Sequence, residues 1–192
     1  SPLMEIYKKE NEKQYYEKQK GNAEKSGNRK NILSSPTLYT IPDALLKSML
    51  SKSTLSTSVK EKILKQTDLL KQRMEIVLDK DFITDILPIL SKEEFYKEPL
   101  KLQLTDIFEH SDITYSYNEY LLHIEAMENY KNNHKNYNYM VSSDRGFKNI
   151  QIFIHEGLSV TVAKSNSPNI IFVIKHKQLC EAFQNMEIPV RD

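Results

Sequence analysis

Residues 147–176, FKNIQIFIHEGLSVTVAKSNSPNIIFVIKH, hold three short apolar runs parted by turn residues. Ser159-Val160-Thr161-Val162-Ala163 alternates between polar and apolar side chains, the period of a strand with one covered face. Ile170 to Ile174 is apolar throughout and reads as a central strand, covered on both faces. NIQIFIHE (149–156) precedes them, with turns at Gly157 and over 166–169. NYNYMVS (136–142) adds a strand upstream of a turn at 144–146, and a helix from Lys177 to about Met186 closes the chain. The region reads as a compact sheet unit that presents side chains to a ligand or partner.

Further upstream, Ser116-x-x-Glu119 is a capping box: hydroxyl and carboxylate each satisfy an orphan amide of a helix's first turn. The helix it opens carries Tyr120, Leu121, Ile124 and Met127 on one side and frays near His134. DFITDILPIL (81–90) reads as a strand that Pro88 stops near Leu87; a charged loop over 91–101 then leads to LQLTDIF (102–108), a candidate strand. Pro42 and Asp43 open a helix with Leu45, Leu46, Met49 and Leu50 inward. A longer one follows from Ser56, with Val59, Ile63, Gln66, Leu70, Met74 and Val77 at helical spacing. Residues 1–20 have few apolar points and suggest a helix that is weakly anchored or packs on a partner, and GNAEKSGNRKN (21–31) has almost nothing to bury, so it reads as a mobile linker. The expected division is an N-terminal helix and linker (1–31), a helical hairpin (32–80) and an α+β domain (81–192). The fold class is α+β: N-terminal helices followed by a mainly antiparallel sheet with helices packed on it.

Composition narrows the function. The 27 basic and 26 acidic residues nearly cancel, so no global field draws the chain to nucleic acid or an anionic surface. Four glycines, at 21, 27, 146 and 157, cannot spell the Gly-rich phosphate loops of the common nucleotide folds. One cysteine, Cys180, excludes an internal disulfide and a multi-cysteine zinc site, and fits a reducing compartment. It sits beside Leu179 in an apolar helix, unlike an activated nucleophile. The five histidines, at 110, 123, 134, 155 and 176, share no metal-ligand spacing, so neither metal nor cofactor is expected. No apolar run reaches the roughly 18 residues of a membrane span, and no signal-like segment opens the chain, which points to the cytoplasm and no membrane partner.

Two polar clusters interrupt the sheet region. His155-Glu156-Gly157 ends an apolar strand and reads either as a hairpin turn, with Gly157 supplying positive φ, or as a contact point. Lys164-Ser165-Asn166-Ser167-Pro168, with Lys175 and His176 beyond the next strand, reads either as a rigid Ser-Pro connection or as a polar rim facing a small ligand. The candidate ligand-binding residues are therefore His155, Glu156, Lys164, Ser165, Ser167, Lys175 and His176. An enzyme centred on His155, Glu156 and Lys164 needs tertiary structure to gather them, and no catalytic motif is present. The basic helix pair over 44–77, with Lys60, Lys62 and Lys65 on its outer side, is an alternative nucleic-acid surface.

Phe147, Asn149-Ile150-Gln151-Ile152, His155-Glu156-Gly157, Lys164-Ser165, Ser167-Pro168, Ile170, Phe172-Val173-Ile174, His176 and Pro189-Val190 carry a resemblance. Together with Tyr39-Thr40-Ile41-Pro42 and Ile83-Thr84-Asp85-Ile86-Leu87-Pro88, they make residues 35–192 similar to the C-terminal region of helix-turn-helix transcriptional regulators of the XRE, phage-repressor-like type from Gram-positive bacteria. Such regulators carry an N-terminal DNA-binding head, and no segment here fits one. The resemblance implies a non-catalytic effector-sensing or dimerisation domain that reaches DNA through a head absent from this chain, with a homodimer and a small-molecule effector as partners. It carries no residue roles with it.

Overall fold

The computed structural model describes residues 3–104, 113–143, 149–164, 166 and 168–191. They fall into two compact units interleaved along the chain, one of Ser1–Ser34, Val77–Pro88 and Asn136–Asp192, the other of Ser35–Ile76 and Ile89–Lys135. This replaces the three consecutive segments 1–31, 32–80 and 81–192. Segments distant in sequence pair in one sheet, which a linear division cannot represent.

The first unit is a seven-stranded sheet made of β1 (Met4–Tyr7), β2 (Arg29–Ile32), β3 (Ile83–Leu87), β4 (Tyr137–Val141), β5 (Ile150–His155), β6 (Ser159–Lys164) and β7 (Ile170–Ile174). Its order is β1-β7-β6-β5-β2-β3-β4. Four neighbouring pairs, from β1–β7 through β5–β2, are antiparallel, and β2–β3 and β3–β4 are parallel. The fold is α+β with a mostly antiparallel sheet, as the sequence pattern indicates. β5, β6 and β7 form the expected meander. Leu158 N donates to His155 O at 3.0 Å in the first turn, where Gly157 takes φ +77°.

One sheet face is apolar at its centre. Ile154, Val160 and Ile174 lie in one cross-strand row, and Ile152 pairs with Ile32. Cys180 of α6 (Lys177–Gln184) is buried among them, with Phe183 packed against the cluster. Fully hiding a side chain such as Ile154 or Val160 contributes about 1.5–3 kcal/mol. The other face carries a buried polar knot. Asp85, 1% exposed, accepts from Asn31 Nδ2 at 2.9 Å and Tyr137 hydroxyl at 2.8 Å. Both carboxylate oxygens are thus paired, which offsets the cost of removing the charge from water.

Two expectations about the N-terminal region need correction. The N-terminal stretch is a strand followed by α1 (Glu12–Ala23), because Met4–Tyr7 completes the hydrogen bonding of β7 and buries Tyr7 against Tyr15, ring centroids 5.3 Å apart. β7 is flanked on both sides, as its apolar run requires, only through this strand. The mobile-linker reading of 21–31 fails at both ends: Gly21 lies inside α1, and Arg29–Ile32 is an interior strand between β5 and β3. Asn31 and Ile32 are buried there by pairings that no local apolar signal announces.

In the second unit lie α2 (Asp43–Ser51), most of α3 (Thr57–Leu78), α4 (Lys92–Lys97) and α5 (Tyr117–Asn133). Its core includes Ile41, Leu46, Leu50, Ile63, Phe95 and Tyr120. Both helices read over 43–77 are present, but α2 packs chiefly on α5 rather than pairing with α3 as a hairpin. The capping box at α5 is intact: Glu119 N donates to Ser116 Oγ at 3.2 Å, and Ser116 N donates to Glu119 Oε1 at 2.8 Å. Residues 91–101, read as a loop, contain α4, started by a second capping box in which Ser91 and Glu94 exchange the same two bonds at 3.2 and 3.1 Å. Much of the candidate strand 102–108 lies outside the described residues. Nearby, an isolated antiparallel bridge joins Lys101 to Thr114.

Candidate functional site

The sheet separates the two polar clusters. His155 pairs with Ser159, while Lys164 pairs with Ile150 at the far end of β6. Five residue steps at about 3.3 Å place Lys164 roughly 17 Å away, and an odd step count puts it on the opposite face from His155. A catalytic centre of His155, Glu156 and Lys164 is therefore not assembled.

Each described member has a structural task. His155 is half-buried, with Nε2 3.2 Å from Ser26 O, and burial together with the Arg29 charge pushes its pKa down. Gly27 passes so close that a Cβ there would stand 2.6 Å from Glu156 O and 2.9 Å from the His155 ring. Lys164 Nζ donates to the carbonyls of Asn166 and Pro168, each at 2.9 Å, stapling its own turn. Lys175 pairs with Glu5 Oε1 at 2.8 Å. His176 is the N-cap of α6, its Nδ1 accepting from Leu179 N at 3.4 Å. Ser165 and Ser167 lie outside the described residues. Lys71, on the helix pair considered for nucleic acid, is drawn back onto Asp43 at 2.8 Å and Ile41 O at 2.5 Å. Cys180 is buried, its Sγ donating to Ile174 O at 3.3 Å, and burial pushes its thiol pKa up.

Of the proposed contact residues, Glu156 belongs to a concavity that sequence reading did not anticipate. Beyond α6, residues 185–191 run past Lys30 of β2, whose Nζ reaches Met186 O, and dock on the outer edge of β4. Val190 bridges Ser142, Ser143 N donates to Pro189 O at 2.9 Å, and Arg191 N donates to Val141 O at 2.7 Å. Between this strap and strands β2 to β4 lies a cleft of about 650 Å³. Its floor includes Lys30, Thr84, Ile86 and Met140; Met186 and Ile188 line it from the strap, and Phe82, 57% exposed, also contributes. Among the described residues its lining has no histidine, cysteine, serine, aspartate or tyrosine. It can hold a ligand by contact and charge.

No protein-family model, curated protein or solved structure matches this chain. Among the described residues no cluster of three or more His, Cys, Asp and Glu could hold a metal, and no helix is long and apolar enough to cross a membrane.

The cleft was hidden for a physical reason. Lys30 sits in Arg29-Lys30-Asn31, a polar triplet that resembles linker, and its neighbours Thr84 and Met140 come from strands far along the chain. The only local hint was Pro189-Val190 after α6, a proline that stops a helix and favours extended chain.

Proposed function

We propose that this chain is the non-catalytic, effector-sensing part of a helix-turn-helix transcriptional regulator of the XRE type, whose DNA-binding head is outside these 192 residues. The observation that carries the reading is the cleft beneath residues 185–191. At about 650 Å³ it falls within the usual 300–1,000 Å³ range of small-molecule sites, and its lining joins six apolar side chains to eight polar or charged ones. The sequence resemblance over 35–192 supplies the regulator class. An effector that binds one arrangement of the sheet and strap more tightly shifts the population toward it, and a homodimer converts that shift into altered spacing of two DNA-binding heads.

The test is DNA binding by these 192 residues at physiological salt, measured by fluorescence anisotropy with operator and scrambled duplexes. The expected result is no discrimination between them. Operator-specific binding overturns the reading and returns the basic helix pair to consideration.

A further inference from the structure

The cleft floor is two rows of cross-strand partners on one sheet face. Lys30 stands opposite Thr84, and two residues further along Ile86 faces Met140. The rows are two residues apart, about 6.6 Å along the strands. A ligand lying along the strands meets an ammonium and a hydroxyl at one end, and alkyl and thioether surface at the other.

Lys30 is half-buried, and its hydrogen-bond partner among the described residues is Met186 O at 3.5 Å, the far limit of such a bond. An ammonium has three donors, so this one weak bond leaves it able to donate to a ligand. Arg29, one residue earlier, also lines the cleft and donates through its guanidinium to Ala23 O at 2.9 Å. Glu156 and Glu187 also line the cleft and are exposed. With Lys30 and Arg29 they balance the formal charge of the lining, so a second negative charge on a ligand is less favoured than the first.

We propose that the cleft binds a small monocarboxylate with an apolar body, its carboxylate on Lys30 and Thr84 and its body along Ile86, Met140 and Ile188. The assignment rests on the cleft being an effector site and narrows the effector's chemistry. A multiply charged phosphate ester is disfavoured by the glutamates. A neutral analogue leaves the Lys30 ammonium without its counter-charge.

The experiment is calorimetric titration of the 192-residue chain with octanoate, 1-octanol and octyl phosphate, with amide chemical shifts locating the site. Octanoate is expected to saturate one site and to shift amides of β2, β3, β4 and residues 184–190. The alcohol and the phosphate are expected to bind about tenfold more weakly, the worth of one charge-assisted bond. Lys30→Met loses octanoate affinity by a similar factor. The exposed Glu187→Gln narrows the gap between octanoate and octyl phosphate, a change that mere loss of folding does not produce. The assignment is overturned if octanoate fails to bind, shifts amides elsewhere, or binds Lys30→Met unchanged. Octanol binding as tightly as octanoate at the same amides also overturns it, while leaving the effector reading intact. That reading fails separately, through operator-specific DNA binding.

Discussion

His123 shows how a single residue couples the second unit to pH. It is fully buried, Nε2 lies 3.1 Å from Thr37 O and 3.0 Å from Thr40 Oγ1, and Nδ1 lies 2.8 Å from Tyr115 hydroxyl. A carbonyl can only accept, so Nε2 carries the proton and Nδ1 accepts from the tyrosine. Burial holds the ring neutral, with a pKa lowered to about 4 despite the Thr37 bond. The unfolded chain takes up a proton at about 6.5, so this contribution is complete above that pH and is lost as pH falls toward 4. Between pH 7.5 and 5 the loss is about 2 kcal/mol, measurable by urea unfolding. His155 is shifted in the same direction, so the His123→Gln variant isolates the effect. That variant is expected to be less stable at pH 7.5 and to show a clearly smaller drop between the two pH values; an unchanged drop assigns it elsewhere.

Among the elements, β1 depends most on one side chain. Burial alone would raise the Glu5 pKa, but hydrogen bonds from Lys175, Lys18 and Tyr7 outweigh it and hold the carboxyl at about 2. These partners belong to α1, the segment after β7 and β1 itself, so one carboxylate ties the strand down on both sides. Its stabilising effect is present above the ordinary carboxylate pKa of 4.5 and is lost as pH falls toward 2, a window that meets that of His123 only between about 4 and 4.5. Glu5→Gln is expected to speed hydrogen exchange of β1 amides at neutral pH while leaving the β5 and β6 amides protected. Equal acceleration in all three strands shows instead that β1 unfolds only with the whole sheet.

For the whole molecule, connectivity sets the folding order. β2 reaches β3 only after residues 35–76, and β3 reaches β4 only after 89–135, so the parallel pairs close over two long insertions. The capped helix α5 forms from local contacts. Loop closure delays the non-local pairs, so pulse-labelled exchange during refolding is expected to protect α5 amides before those of β2 and β3. Simultaneous protection removes this ordering.

The same distinction separates what could be read in the chain from what could not. The β5-β6-β7 meander, α2, α3, α5 with its Ser116–Glu119 box, β3, β4 and α6 were legible, because their signals are local: alternation, helical spacing, caps and turn residues. A local signal was also overlooked at Ser91-x-x-Glu94, which starts α4. His123 was not legible as core, since nothing nearby reveals that Thr37 and Tyr115 meet both ring nitrogens. β1, β2 and the cleft floor at Lys30, Thr84 and Met140 were decided by tertiary pairing alone. Sequence by itself determined the α+β class and the elements whose hydrophobic pattern fits their own period. Only the tertiary structure decided which polar strand lies inside the sheet and which lysine faces a cleft, because a strand's environment is set by neighbours that the chain supplies from far away.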